Sequence, residues 1–185
     1  PTQHKMPDCQ ALADGYKQGC KPTPGARQSL YIALYDDILS FGNGTTTGEK
    51  DSVNMKSGKG LYKWQVERDS VQVLHTKVEE EGGGVNMTHE VTFKVVDATL
   101  EARDAVNDLL GKDLVVFALE NSDVIKIIGY QNGARVEVAN GSTVAAELGH
   151  LITIRALNQN TLPYFFNNGT SFNSTVADLE AIVIG

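Results

Sequence analysis

Four histidines, two cysteines and two acidic clusters are the residues of this chain best suited to chemistry. His4, His75, His89 and His150 are scattered, and none falls in an HExxH or HxH spacing, so no metal-ligand set is apparent. His75 and His89 flank a Gly-rich turn at similar distances and are expected to face each other across two strands, as a sheet pair rather than a site. Cys9 and Cys20 are separated by ten residues; one short-loop disulfide or two separate thiols both fit. A zinc site needs about four ligands, and only His4 is near them. Asp36-Asp37 and Glu79-Glu80-Glu81 could act as general acid and base if burial split their pKa values, but the glutamates adjoin Gly82-Gly83-Gly84, where carboxylates stay solvated. Gly42-Asn43-Gly44 lacks the Lys-Ser/Thr pair of a phosphate loop, and neither it nor Gly58-Lys59-Gly60 lies between a strand and a helix N-terminus. With no Gly-x-Ser-x-Gly elbow either, the residues point to no catalytic group, no cofactor and no metal, and a protein that is not an enzyme is expected.

The elements that must position these residues are mostly strands. Residues 1–28 lack apolar periodicity and contain Pro7, Pro22 and Pro24, which reads as an extended arm that docks on something. Residues 29–185 are expected to form one β-sandwich or barrel domain. Leu30, Ile32 and Leu34 alternate with Tyr31, Ala33 and Tyr35, as in a strand contacted on both faces. Residues 42–60 are almost all small or polar and read as a long loop, dispensable for the core and available to a partner. Tyr62, Trp64 and Val66 form one alternating set and Val71, Val73 and His75 another, with a bulge or bend at the parity break between them. The nine residues Met87–Val95 form the clearest strand, with one face on the core and one in solvent.

A helix over about 98–110 follows, capped by Asp97 and ended at Gly111, with Ala102, Ala105, Val106, Leu109 and Leu110 on one face. Strands are expected at 113–119, 124–130, 133–139, 148–155 and 176–184, with a hairpin turn at Gln131-Asn132-Gly133. The fold class is therefore mainly β (α+β): two packed antiparallel sheets with one flanking helix, an N-terminal arm and a long polar loop.

Composition narrows the function classes. The 185 residues carry 16 Lys+Arg against 23 Asp+Glu, a net charge of -7, which disfavours sequence-specific DNA binding. No apolar run approaches the ~18 residues needed to span a bilayer, and no apolar signal core follows Pro1, so a protein used inside a cell or particle is expected. Sequons at Asn43, Asn86, Asn140, Asn168 and Asn173 then read as turn chemistry. The Asn/Thr-rich stretch 158–174, with Tyr164, Phe165, Phe166 and Phe172, raises a carbohydrate-binding sandwich as an alternative, although strand-end packing also accounts for the aromatics.

An arm, a polar loop and a compact β core together suit a subunit that assembles, since open sheet edges are satisfied by joining copies. The segment Cys20–Ala33 followed by Tyr35-Asp36-Asp37-Ile38 resembles the opening of virion structural proteins from tailed phages of Bacteroidetes hosts. The later run Phe93–Val96, helix, Leu114–Leu119 and Ile127–Gly133 is similar in layout to tail tube proteins. The resemblance implies stacked, hexameric rings around a DNA conduit, with an acidic lumen that lets DNA pass without specific binding. It implies partners that are other copies and other tail or neck proteins, no membrane, and a place in the virion tail after assembly in the host cytoplasm. Neck or tail-hub rings and capsid decoration remain alternatives. The residues assigned to assembly contacts are Cys9 and Cys20 on the arm, Tyr31 and Tyr35 on the first strand, and Thr45, Thr46, Thr47, Lys56 and Lys59 in the loop.

Overall fold

A computed structural model describes residues 26–67, 70–79, 84–96, 100–142 and 149–184. In chain order these form β1 (Ala26–Leu34), a 3-10 turn (Tyr35–Asp37), β2 (Ile38–Asn43), β3 (Glu49–Met55), β4 (Tyr62–Gln65), β5 (Gln72–Glu79), β6 (Val85–Val95), α1 (Leu100–Leu109), β7 (Leu114–Glu120), β8 (Ile125–Ile128), β9 (Arg135–Ser142), β10 (Gly149–Gln159), β11 (Tyr164–Phe166) and α2 (Phe172–Glu180). The strands make a seven-stranded sheet, β2-β3-β11-β8-β7-β1-β4, and a four-stranded sheet, β5-β6-β10-β9. The fold is mainly β with two packed sheets, as expected, and neither sheet closes into a barrel. One pair, β3 with β11, is parallel.

The large sheet is buried on both faces because Leu30–Leu34 of β1 and Leu114–Leu119 of β7 are runs with no charged residue and apolar side chains on both faces. Leu30 and Ile32 of β1 and Val116 and Ala118 of β7 face the small sheet, meeting Val91, Phe93, Ile152 and Ile154, with Val106 and Leu109 of α1 closing one end. Tyr31, Ala33, Val115, Phe117 and Leu119 point the other way, against Leu179 of α2 and Phe166. Each fully buried Leu, Ile or Phe contributes roughly 1.5–3 kcal/mol, so this continuous apolar run anchors the fold.

Four sequence expectations are corrected here. The 42–60 loop is a β-hairpin: β2 pairs with β3, and the tip turns at Gly48 with φ 94° while Glu49 N–H donates to Thr46 O at 3.1 Å. Its apolar residues Val53 and Met55 are spaced for a strand and pack on the second cluster, and β3 joins β2 to β11, so the segment belongs to the sheet. The last expected strand, 176–184, is instead α2. Ser171 caps it by accepting from Ser174 N–H at 3.2 Å, and Phe172, Thr175, Val176 and Leu179 recur at helical spacing. Only the following tail behaves as extended chain, with a parallel bridge between Leu61 and Val183.

The Gln131-Asn132-Gly133 turn does not join a hairpin, because β8 and β9 lie in different sheets. Gly129, at φ 86°, makes the crossing possible: an added Cβ would sit 2.6 Å from Leu114 O, so the backbones approach too closely for a side chain. The parity break after Val66 is likewise a crossing, from β4 in the large sheet to β5 in the small one. Of the proposed 1–28 arm only 26–28 are described, and they already belong to β1; the Asp97 cap and the Gly82–Gly84 turn lie largely outside the described residues. Gly111, at φ 74°, does follow α1 as expected.

Candidate assembly surfaces

The residues assigned to assembly contacts fall into four settings. Cys9 and Cys20 lie outside the described residues. Tyr31 is buried, so it faces no partner: its hydroxyl donates to Glu180 Oε1 at 2.5 Å, tying β1 to the end of α2, and Lys63 Nζ meets the same oxygen at 2.5 Å. Burial, then the Glu180 bond, raises the Tyr31 phenol pKa above its ordinary value, while Lys63 and Tyr31 lower that of Glu180. Tyr35 is half-buried and donates to Gln131 O at 2.7 Å, so it braces a loop. Thr45, Thr46 and Thr47 are exposed at the β2–β3 tip, where a contact with another molecule is geometrically open. Lys56 is exposed in the β3–β4 connection, and Lys59 reaches Asp37 at 3.7 Å.

Behind that hairpin lies a feature the sequence reading missed. Lys50 of β3 is buried, with Nζ 4.8 Å from the ring centres of both Tyr130 and Tyr164 and donating to Asn43 Oδ1 at 2.7 Å. Two aromatic faces and one amide oxygen replace the water this ammonium gives up. No spacing signals it, because Lys50, Tyr130 and Tyr164 are brought together only by the order β3-β11-β8.

The widest opportunity for association is the small sheet. Its outer strands are β5 and β9, and among the described residues each leaves one row of backbone groups without a neighbouring strand. β5 pairs with β6 in unbroken register over eight residues, Gln72↔Thr92 to Glu79↔Val85, so its free edge is long and regular. It contains no proline, and Leu74 and Val78 are 45% and 40% exposed on the face away from the large sheet. β9 carries a register shift opposite Thr153/Ile154, which places Glu137 beside Arg155. On the outward face beside it the charges are paired, Arg155 binding both Glu137 and Glu90, the latter at 2.7 Å, with Leu151 exposed nearby.

His75 and His89 do face each other across β5 and β6. His75 is exposed, whereas His89 is 3% exposed, with Nε2 2.8 Å from Thr161 O. Since that carbonyl can only accept, Nε2 carries the proton, and Nδ1 has no partner among the described residues. Burial, opposed by the Thr161 bond and reinforced by His75, lowers the His89 pKa below its ordinary value. Among the described residues no three His, Cys, Asp or Glu side chains gather as metal ligands, and no helix is long and apolar enough to cross a membrane. Comparison with family models, curated proteins and solved structures finds no match for this chain.

Proposed function

We propose that this chain is a virion structural protein, a tail tube subunit whose copies join into stacked, hexameric rings around a DNA conduit. The observation that carries this reading is the construction of the small sheet. Its four strands alternate in direction across β5-β6-β10-β9, so β5 of one copy and β9 of the next run antiparallel when brought edge to edge. Such joining uses different edges on each copy, and a heterologous contact whose rotation divides a full turn closes a ring, six copies in the proposed case. The exposed Leu74 and Val78 on β5 favour contact over solvation.

The net charge of -7 supports a conduit, since an acidic protein repels phosphate and lets duplex DNA pass without sticking. The exposed Thr45–Thr47 tip suits contact with the next ring or with other tail proteins. Light scattering with negative-stain imaging over a concentration series tests the reading. Open-ended stacks of rings with a lumen wide enough for duplex DNA are expected. Single closed rings that never stack would favour a neck or hub ring, and a monomer at every concentration would contradict the proposal.

A further inference from the structure

The 3-10 turn, the β8–β9 turn and the β10–β11 loop meet around an open cleft of about 840 Å³, well apart in sequence and on the β2 side of the molecule rather than at β5. We infer that this cleft is a saccharide-binding site, a role beyond the assembly function proposed above.

The walls are already fixed. Gln131 and Asn160 bond reciprocally: Gln131 Nε2 donates to Asn160 Oδ1, and Asn160 N–H donates to Gln131 Oε1 at 2.9 Å. Asn132 Nδ2 donates to Asn158 O at 3.3 Å, and Tyr35 supports the turn through Gln131 O. Asn158 takes a left-handed backbone, φ 56°, and its Oδ1 accepts from Asn86 Nδ2 at 3.1 Å. Asparagine accepts this left-handed turn readily, and the Asn86 bond fixes the side chain there. The loops are thus preorganised without a ligand.

The groups left over have the chemistry of sugar recognition. Among the described residues nothing pairs with Asn132 Oδ1, Asn158 Nδ2 or the Asp36 carboxylate, and all three residues are exposed at the cleft. A planar amide acceptor, an amide donor and a carboxylate match the alternating donors and acceptors of adjacent sugar hydroxyls. Tyr130, half-buried, bounds the cleft but meets Phe41 at a tilt with ring centres 5.0 Å apart and carries Lys50 over its ring, so recognition rests on the polar groups rather than on stacking. Lys56 and Asp36 give the cleft one charge of each sign, so it offers no net attraction to a phosphate or sulfate. A neutral saccharide with vicinal hydroxyls is the ligand class that suits these three polar groups.

The full chain is titrated with neutral oligosaccharides of glucose, mannose, galactose and N-acetylglucosamine, with a sulfated heparin oligosaccharide as the charged probe, by saturation-transfer NMR. Binding of at least one neutral series is expected, roughly tenfold weaker in Asp36→Ala and in Asn132→Ala. Both positions are exposed, so both variants are expected to keep the wild-type melting temperature, and Thr45→Ala at the distant hairpin tip is expected to bind as wild type. The inference is overturned if no neutral sugar binds, if only the sulfated probe binds, or if Asp36→Ala/Asn132→Ala binds undiminished.

Discussion

The two sheets solve the same problem, where to put apolar side chains, in opposite ways. In β7 of the large sheet six consecutive residues, Leu114–Leu119, are buried, because α2 and the β2–β3 hairpin cover the face that the small sheet leaves open. In β5 of the small sheet Leu74, His75, Thr76, Lys77 and Val78 are all exposed. Both sheets end in outer strands among the described residues, β2 and β4 in the large sheet and β5 and β9 in the small one, but the large sheet buries both faces of its central strands within one chain, while the small sheet buries only one. The core of the fold resides in the first; the proposed assembly would use the second.

The largest effect expected from breaking this division is in the large sheet. Phe117 is fully buried and meets Phe166 edge-on with ring centres 5.4 Å apart, so Phe117→Ala should cost about 3–5 kcal/mol in chemical denaturation. Lys50→Met keeps the buried stem but removes the ammonium from Tyr130 and Tyr164; a loss of about 1–2 kcal/mol is expected by the same measurement.

The small sheet should respond to pH instead. His89 has its folded-state pKa depressed below 6.5, so the unfolded chain binds more protons there and stability rises with pH across that window. Acidification from 6.5 down through the depressed value should destabilise the protein, and His89→Gln, which retains a donor for Thr161 O, should flatten that slope. Asp113 and Glu180, held low by Arg135 and by Lys63, act separately: their contribution is complete above about 4.5 and is lost only as pH falls through their lowered values. Urea titrations at closely spaced pH values separate the two ranges.

The smallest effect on folding should come at the edge. Leu74→Lys changes an exposed position and should alter monomer stability by under about 0.5 kcal/mol. The same change should abolish or strongly weaken assembly, as a charge on a free edge does. Separation of the two readouts at one residue would sharpen the division between the sheets.

The sequence made the strands legible where burial was one-sided or complete: β1, β6 and β7 lie within one to three residues of expectation because alternation or unbroken apolarity marks them. It failed where the apolar signal is sparse or misleading. β3 buries little besides Lys50, so its polar text resembled a loop, and α2 was obscured by Val176, Ile182 and Val183, whose β-branched character outweighed a capping serine and an i, i+3, i+4, i+7 spacing. Sheet membership was also hidden. The turns before β5 and β9 read as a bend and a hairpin, although each carries the chain from one sheet to the other. The edge at β5 was visible in one respect only, since Leu74 and Val78 interrupt the Val71, Val73, His75 parity and leave apolar groups on both faces.

Amide hydrogen exchange at low and high protein concentration tests the division most directly. Joining of β5 to β9 between copies predicts that their outward amides, rapidly exchanging in dilute protein, become protected as scattering rises, while β7 is protected throughout. Exchange at β5 and β9 that stays equally fast in fully assembled protein would contradict it.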